Sequence, residues 1–118
     1  VLANKGFEHG EHSGLGWIEG SVTKIQTKNL PLPNVGWNDI ILKRKSVITN
    51  SLEKVKDFYF VHSYIFNVKN QDNIIAEANY DKNFCSIVQL NNIFGVQFHP
   101  EKSQKTGAIL LKNFLNIE

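Results

Sequence analysis

The chain has little cysteine and little excess charge, and it contains no long apolar run. One cysteine in 118 residues excludes an internal disulfide and any zinc site made of several cysteines, so the fold must depend on its core. The formal net charge is only +2 and the lysines are scattered, which argues against a nucleic-acid partner. The longest apolar run covers only a few residues, so we expect no membrane span, no signal peptide and a cytoplasmic location.

The rest of the composition is that of an ordinary globular protein, with 42% hydrophobic and 20% charged residues. The length suits one domain, and the sequence has no repeat or low-complexity segment. Residues 8–14 contain two histidines and two glutamates, yet their spacing matches no metal-binding motif. We therefore interpret residues 8–14 as a solvated loop and expect neither a metal site nor a cofactor.

Reactive side chains are concentrated in residues 94–103. Residues 96–98 alternate apolar and polar, which predicts a strand that ends at Pro100. Because proline holds the preceding residue in extended geometry, His99 and Glu101 should project to the same side, within hydrogen-bond reach. A carboxylate on one ring nitrogen leaves the other free to take a proton from a thiol or hydroxyl, as nucleophilic catalysis requires. The alternative is a surface turn in which His99 is solvated and Glu101 caps the next helix.

Residues 30–38 contain two prolines and carry a tryptophan next to an amide. This pattern predicts a stiff loop and argues against a central strand. The loop either presents Trp37 at the surface or plugs the core with it, and tryptophan is more often buried. Residues 40–48 mix apolar and basic side chains and predict an exposed edge strand and turn.

The aromatic and β-branched run at residues 58–64 predicts a buried strand. We interpret His62 in this strand as a hydrogen-bonded core histidine. Residues 74–90 alternate and predict a hairpin that turns at residues 81–83. Cys85 lies inside the second hairpin strand and lacks the strand-to-helix elbow and glycines that expose a nucleophile, so we expect a buried structural thiol.

The two ends of the chain are predicted to be helical. Residues 1–5 are typical of the end of a helix, with Gly6 as its stop, and residues 15–25 predict one or two strands broken at Gly20. We expect Ser103 or Thr106 to cap the last helix, and Lys112 and Asn113 to point away from the sheet. Its apolar face, expected to pack on the sheet, comprises Leu110, Leu111, Phe114 and Leu115.

Four stretches together resemble the C-terminal part of the class I glutamine amidotransferases, and most closely the glutaminase subunits of imidazole glycerol phosphate synthase. They are residues 14–20, 33–38, 58–64 and 95–103, and in order and spacing they cover nearly the whole chain. The last of them, Gly-Val-Gln-Phe-His-Pro-Glu-Lys-Ser, is specific enough to favour the catalytic interpretation over the surface turn.

The resemblance implies an α/β, flavodoxin-like three-layer domain, of which residues 1–118 are the later portion, largely antiparallel and closed by a helix. It implies that His99 is the base and Glu101 its orienting carboxylate in a Cys-His-Glu triad. Ser63 and Tyr64 would hold the α-carboxylate and amino end of glutamine. The face that docks on a barrel-shaped cyclase subunit, forming a heterodimer with an ammonia channel, would include Trp37, Asn38 and Lys102.

The family's nucleophile lies in a Gly-x-Cys-x-Gly-x-Gln elbow followed directly by a helix, and we expect this chain to begin just inside that helix. The 118 residues would then be inactive alone. Asn34 and Val35 also stand where the close family usually has histidine and methionine. A paralogous glutaminase supplying ammonia for surface-polysaccharide sugars, and a non-catalytic interaction subunit of the same fold, remain alternatives.

Overall fold

The computed structural model of the protein describes residues 5–6, 12–13, 18–52 and 55–116. These residues form two sheets and one α-helix, α1, at Gln104–Leu115. The smaller sheet has the order β2-β1-β3-β6, and every pairing in it except β1 with β3 is antiparallel. Its strands are β1 Lys5–Gly6, β2 His12–Ser13, β3 Gly20–Lys24 and β6 Tyr64–Val68.

The larger sheet is wholly antiparallel and has the order β5-β4-β7-β8-β9. Its strands are β4 Asn34–Leu42, β5 Val55–His62, β7 Ile74–Tyr80, β8 Lys82–Leu90 and β9 Ile93–Val96. Phe58 and Phe60 on β5 are fully buried, which confirms the predicted buried strand. The predicted hairpin is confirmed as well, with Asp81 at the turn in the left-handed region. The structure thus shows the largely antiparallel portion and closing helix that the sequence predicts.

The start of β4 corrects two predictions. Asn34 to Asn38, predicted as part of a loop, lie in a strand between β5 and β7, and residues 40–42 continue that strand instead of forming an edge strand. The prolines Pro31 and Pro33 both precede the strand, so they remove no donor from its ladder. β4 pairs with β5 along almost its whole length but with β7 only at its last two residues.

The first residues of the chain give a second correction. Lys5 and Gly6, predicted as the end and stop of a helix, form a short strand, while residues 1–4 lie outside the described part. Gly20 begins β3 and does not interrupt it. Of the predicted solvated loop at residues 8–14, only His12 and Ser13 are described, and they form β2.

Only part of the predicted apolar face of α1 is buried. Leu110 is 4% exposed, whereas Leu111, Phe114 and Leu115 are 39%, 49% and 79% exposed. Asn113 was expected to point away from the sheet, but its side-chain amide donates to the carbonyls of Ile48 and Asn50. The helix therefore contacts the rest of the described chain along one narrow line of residues, including the buried Gly107, and not across a full face.

Two apolar clusters form the core. The larger lies between the five-stranded sheet and α1, and the smaller joins the two sheets around Cys85 and Val88 of β8. No helix in residues 18–52 or 55–116 is long and apolar enough to cross a membrane. Among the described residues, no group of three or more His, Cys, Asp or Glu side chains could hold a metal ion.

Candidate active site

His99 and Glu101 form the predicted hydrogen bond, with His99 Nδ1 2.9 Å from Glu101 Oε1. His99 has extended backbone geometry (φ −102°, ψ 98°), and Pro100 begins a short 3-10 helix, Pro100–Lys102. Proline at the first position of this turn fits its fixed φ and its missing N–H. The pair is therefore created locally by the His-Pro-Glu sequence, as the extended geometry before a proline predicts.

The backbone of the turn is attached to the edge of β5. The N–H of His99 donates to the carbonyl of Tyr59 (2.9 Å), and the N–H of Tyr59 donates to Ser103 Oγ (2.9 Å). Ser103 Oγ in turn donates to the carbonyl of His99 (2.7 Å). Because β5 is the outermost strand of its sheet, Tyr59 has backbone groups available for a partner outside the ladder. These three bonds fix where the His99 backbone lies.

Phe98 attaches the same turn to the hydrophobic core. It is 3% exposed, stacks on Phe58 with ring centroids 4.0 Å apart, and meets Phe60 edge-on at 5.6 Å. The predicted strand to Pro100 is wrong here, because β9 ends at Val96, which is 37% exposed. The chain leaves the sheet after Val96 so that Phe98 can enter the core and His99 can reach β5.

The electrostatics favour an ionised carboxylate beside the imidazole. Glu101 is largely exposed, and its own backbone N–H, followed by the hydrogen bond to His99, lowers its pKa below the usual value. A carboxylate on Nδ1 makes that nitrogen the donor and leaves Nε2 as the proton acceptor. The arrangement can therefore accept a proton from a nucleophile placed next to Nε2.

An open groove of about 570 Å³ is lined by the predicted substrate residues Ser63 and Tyr64, whereas His99 and Glu101 are not part of its lining. Gln97, two positions before His99, lines the same groove. His62 at its floor is buried, and its pKa is lowered, chiefly by burial and to a smaller extent by the charge on His99. The predicted base therefore lies two positions along the chain from the lining of the groove that contains the predicted substrate segment.

A sequence model of the glutamine amidotransferase class-I family matches residues 11–117. The chain belongs to this family. It is 43% identical, over 99% of its length, to the imidazole glycerol phosphate synthase subunit HisH of Pelagibacter ubique, and 42% identical, over 98%, to that of Azospirillum brasilense. It spans only 57% and 61% of the length of these two relatives.

The fold agrees with that of a solved structure of low sequence identity. A crystal structure from Thermoplasma acidophilum, of a protein assigned to GMP synthase, superposes with a TM-score of 0.67 at 19% identity. The match covers 81% of this chain and 47% of that one. The likeness supports the class I amidotransferase fold and says nothing about the substrate.

In this chain the predicted docking residues do not all face the same way. Trp37 is 49% exposed and meets Tyr59 edge-on with ring centroids 5.9 Å apart. Asn38, the next residue on β4, points to the other face and donates from Nδ2 to the carbonyl of Asn79 (2.7 Å). Lys102 is exposed in the turn that carries Glu101. Exposure of Trp37 agrees with a docking role, whereas the side chain of Asn38 is used inside the sheet.

The only cysteine of the chain is not placed for catalysis. Cys85 is 7% exposed, and its Sγ–H donates to the carbonyl of Ile87 at 3.4 Å. Burial, followed by the charge of Glu77, raises the pKa of the thiol to about 12. A protonated, inaccessible thiol cannot act as a nucleophile at neutral pH, which agrees with the predicted structural role.

The hydrogen-bonding roles of two residues at this site were not predicted from the sequence. Ser103 was predicted only as a helix cap, yet its hydroxyl makes no cap bond to α1 and joins Tyr59 to His99. Asn34 was noted only as a departure from the family pattern, yet its side chain bonds His62. Their partners lie 44 and 28 positions away in the sequence, so no local spacing could have revealed either contact.

Proposed function

We propose that residues 1–118 are the later portion of a single amidotransferase domain that hydrolyses glutamine to glutamate and ammonia. The observation that carries the proposal is the His99–Glu101 pair, 2.9 Å apart and attached to β5 by the bond from the N–H of His99 to the carbonyl of Tyr59. The pair lies two positions along the chain from Gln97, which lines the groove of Ser63 and Tyr64. The family model supports the reaction class. The named HisH relatives support histidine biosynthesis over surface-polysaccharide amidation as the use of the ammonia.

The proposed chemistry begins with proton transfer from a cysteine thiol to Nε2 of His99. The thiolate attacks the carbon of the glutamine side-chain amide, and His99 returns the proton to the nitrogen as ammonia leaves. Water, deprotonated by the same imidazole, then hydrolyses the thioester to glutamate and frees the thiol. Glu101 keeps the ring oriented with its proton on Nδ1 during both steps.

Glutamine is proposed to lie in the groove, with Ser63 and Tyr64 holding its α-carboxylate and amino groups through their backbone. Both residues are half-buried at the switch from β5 to β6, where the chain passes from one sheet to the other. Such a position holds the backbone of the two residues firmly while leaving the groove open. The amide end of the substrate would then point towards His99.

The nucleophile of this mechanism cannot be Cys85, for the reasons of burial and pKa given above. Since Cys85 is the only cysteine among the 118 residues, the proposal places the nucleophile outside them. The third triad member would then come from a longer chain, and the 118 residues would not hydrolyse glutamine alone.

The proposed partner is a cyclase subunit that receives the ammonia, forming a heterodimer. Trp37 projects from an exposed face of β4 that also carries Val35 and Ile41, which are 57% and 40% exposed. Exposed apolar and aromatic side chains of this kind are typical of interface cores. Lys102 would contribute from the adjacent turn.

The test is glutamate release from glutamine by the full-length gene product, assayed with and without its cyclase partner. Changing Cys85 to Ser should leave the rate within about twofold, because the thiol is only a small core group. Changing the cysteine of the predicted upstream elbow should abolish the rate. Turnover that disappears with Cys85→Ser while the protein stays folded would overturn the proposal.

A further inference from the structure

We propose that His62 and Asn34 form a positioning pair that fixes the carbonyl of Tyr64 and thereby orients the glutamine-holding segment. This inference rests on the proposed function and goes beyond it, because neither residue contacts the reacting atoms. Its basis is a chain of two hydrogen bonds that begins in the core and ends in the groove.

The pair is buried at the last rung of the β4 and β5 ladder. Asn34 and His62 are direct partners in the register, and they are 5% and 8% exposed. Asn34 Nδ2 lies 3.1 Å from His62 Nε2, and His62 Nδ1 lies 3.0 Å from the carbonyl oxygen of Tyr64. Both ring nitrogens therefore have one partner each.

The two partners select one tautomer of the imidazole. The carbonyl of Tyr64 can only accept, so Nδ1 of His62 must carry the proton that it donates. The amide nitrogen of Asn34 can only donate, so Nε2 of His62 must be the unprotonated acceptor. The ring is thus neutral, in agreement with a pKa lowered by burial. An asparagine at position 34 supplies the donor that this tautomer needs.

The backbone around Ser63 shows what the pair holds in place. The carbonyl of Ser63 already accepts from the N–H of Ile25 at 2.8 Å, on the β3 side of β6. In an antiparallel ladder the next residue directs its N–H and C=O to the opposite side, so those of Tyr64 point away from β3. The hydrogen bond from His62 Nδ1 fixes the carbonyl of Tyr64, which points away from β3 and lies at the groove.

The ring of His62 has little freedom to adopt another orientation. It packs against Phe84 and Phe60, with ring centroids 4.9 and 5.7 Å away. A histidine that packs against two aromatic rings and is bonded at both nitrogens is pre-organised, so the carbonyl it holds is pre-organised as well.

Two substitutions at position 62 separate the bond to Tyr64 from the bond to Asn34. Asparagine places its amide nitrogen near the position of Nδ1, so His62→Asn keeps the donor to Tyr64. Glutamine reaches the position of Nε2, so His62→Gln keeps the contact with Asn34 and loses the donor to Tyr64. The full-length protein with its cyclase partner should be used for both variants, and KM and kcat for glutamine hydrolysis should be measured.

The expected result is a KM for glutamine raised about 5- to 100-fold in His62→Gln, the range for a lost buried hydrogen bond, and within about threefold of wild type in His62→Asn. The kcat should stay within about threefold in both. Equal KM values in the two folded variants would overturn the inference. An inactive wild-type enzyme would instead overturn the proposed function, so the two failures are distinguishable.

A second measurement needs no variant and decides the case if His62→Gln does not fold. The nitrogen chemical shifts of His62, recorded by NMR on the full-length wild-type protein at pH 7, should show a neutral ring protonated at Nδ1. Addition of glutamine should leave that tautomer unchanged. A ring protonated at Nε2 would overturn the inference, because it could not donate to Tyr64.

Discussion

At the scale of single residues, the predicted site contains one hydrogen-bonded pair, His99 and Glu101, whose two members differ in their exposure. Glu101 has a side chain 61% exposed, against 39% for His99. Water can therefore take over part of the orienting role of the carboxylate, whereas nothing else in the turn can replace the imidazole as a base. The pKa of Glu101 is lowered, so this carboxyl stays ionised at every pH above its usual value of 4.5.

Replacing Glu101 with Gln should slow glutamine hydrolysis by about 10- to 100-fold, less than the loss of a fully buried orienting carboxylate. The amide preserves the shape but removes the charge that stabilises the imidazolium formed during catalysis. The measurement is kcat in the full-length protein, with the neighbouring Lys105→Gln as a matched surface control. A kcat equal to that of the control would mean that Glu101 does not orient His99.

Cys85 should resist thiol reagents in the folded protein. Its pKa of about 12 and its 7% exposure leave almost no accessible thiolate at pH 8. Titration of the 118-residue chain with a chromogenic disulfide should show no fast reaction under native conditions and one equivalent in denaturant. Rapid native labelling would show that β8 is more open than its burial indicates.

At the scale of elements, close packing of α1 against the 3-10 turn supports the position of His99 in addition to the hydrogen bonds to β5. A Cβ added at Gly107 would come within 1.9 Å of the carbonyl oxygen of Pro100. The missing side chain is what allows the helix to approach the backbone between His99 and Glu101. Glycine inside a helix lowers helix stability, so its presence here reflects close packing.

Gly107→Ala should therefore lower the free energy of unfolding by about 1–3 kcal/mol, the range for overpacking, although alanine is the better helix former. It should also reduce glutamine hydrolysis by displacing Pro100. Urea unfolding and kcat would be compared with Lys105→Ala, an exposed change on the same helix that should stay within about 0.5 kcal/mol. A more stable Gly107→Ala protein would contradict the close-packing argument.

Sequence reasoning succeeded where structure is decided by neighbours along the chain and failed where it is decided by distant ones. The His99–Glu101 bond follows from the intervening proline, and the hairpin around Asp81 follows from alternation and turn chemistry. The strand from Asn34 was missed because the two prolines exclude a central strand only at their own positions, while the pairing partner β5 lies farther along the chain. The exposure of Phe114 was missed because periodicity shows which side chains share a helix face and not what covers it.

At the scale of the whole molecule, the larger sheet must curl to assemble the site. The N–H of Gln97 donates to the carbonyl of Ser86 on β8, yet the N–H of His99 donates to Tyr59 on β5, near the other end of the strand order. The two attached residues, Gln97 and His99, are only two positions apart in the sequence. The curl places the predicted base beside β5, whose exposed face carries Val61 directly opposite Val35 on β4, two positions before Trp37. The predicted catalytic turn and the predicted docking surface therefore meet at β5.

Trp37→Ala should weaken binding of the cyclase subunit by about 30-fold or more, as expected for a central aromatic residue of an interface. It should uncouple glutamine hydrolysis from product formation while changing the free energy of unfolding by less than about 1 kcal/mol, since the side chain is half-exposed. Val47→Ala, at an equally exposed position (49%) outside β4 and β5, is the control. If Trp37→Ala left the affinity for the cyclase subunit unchanged and greatly lowered the free energy of unfolding, Trp37 would be a core residue and not a docking residue.

The most direct test of the account is the effect of His99→Ala on glutamine hydrolysis by the full-length protein with its cyclase partner. We predict that kcat falls by about 10²- to 10⁴-fold, the contribution of a general base, while KM for glutamine changes by less than about threefold. The fold should be retained, because the bonds that hold the turn come from the backbone of residue 99. A His99→Ala enzyme with wild-type kcat would contradict the assignment of His99 as the base.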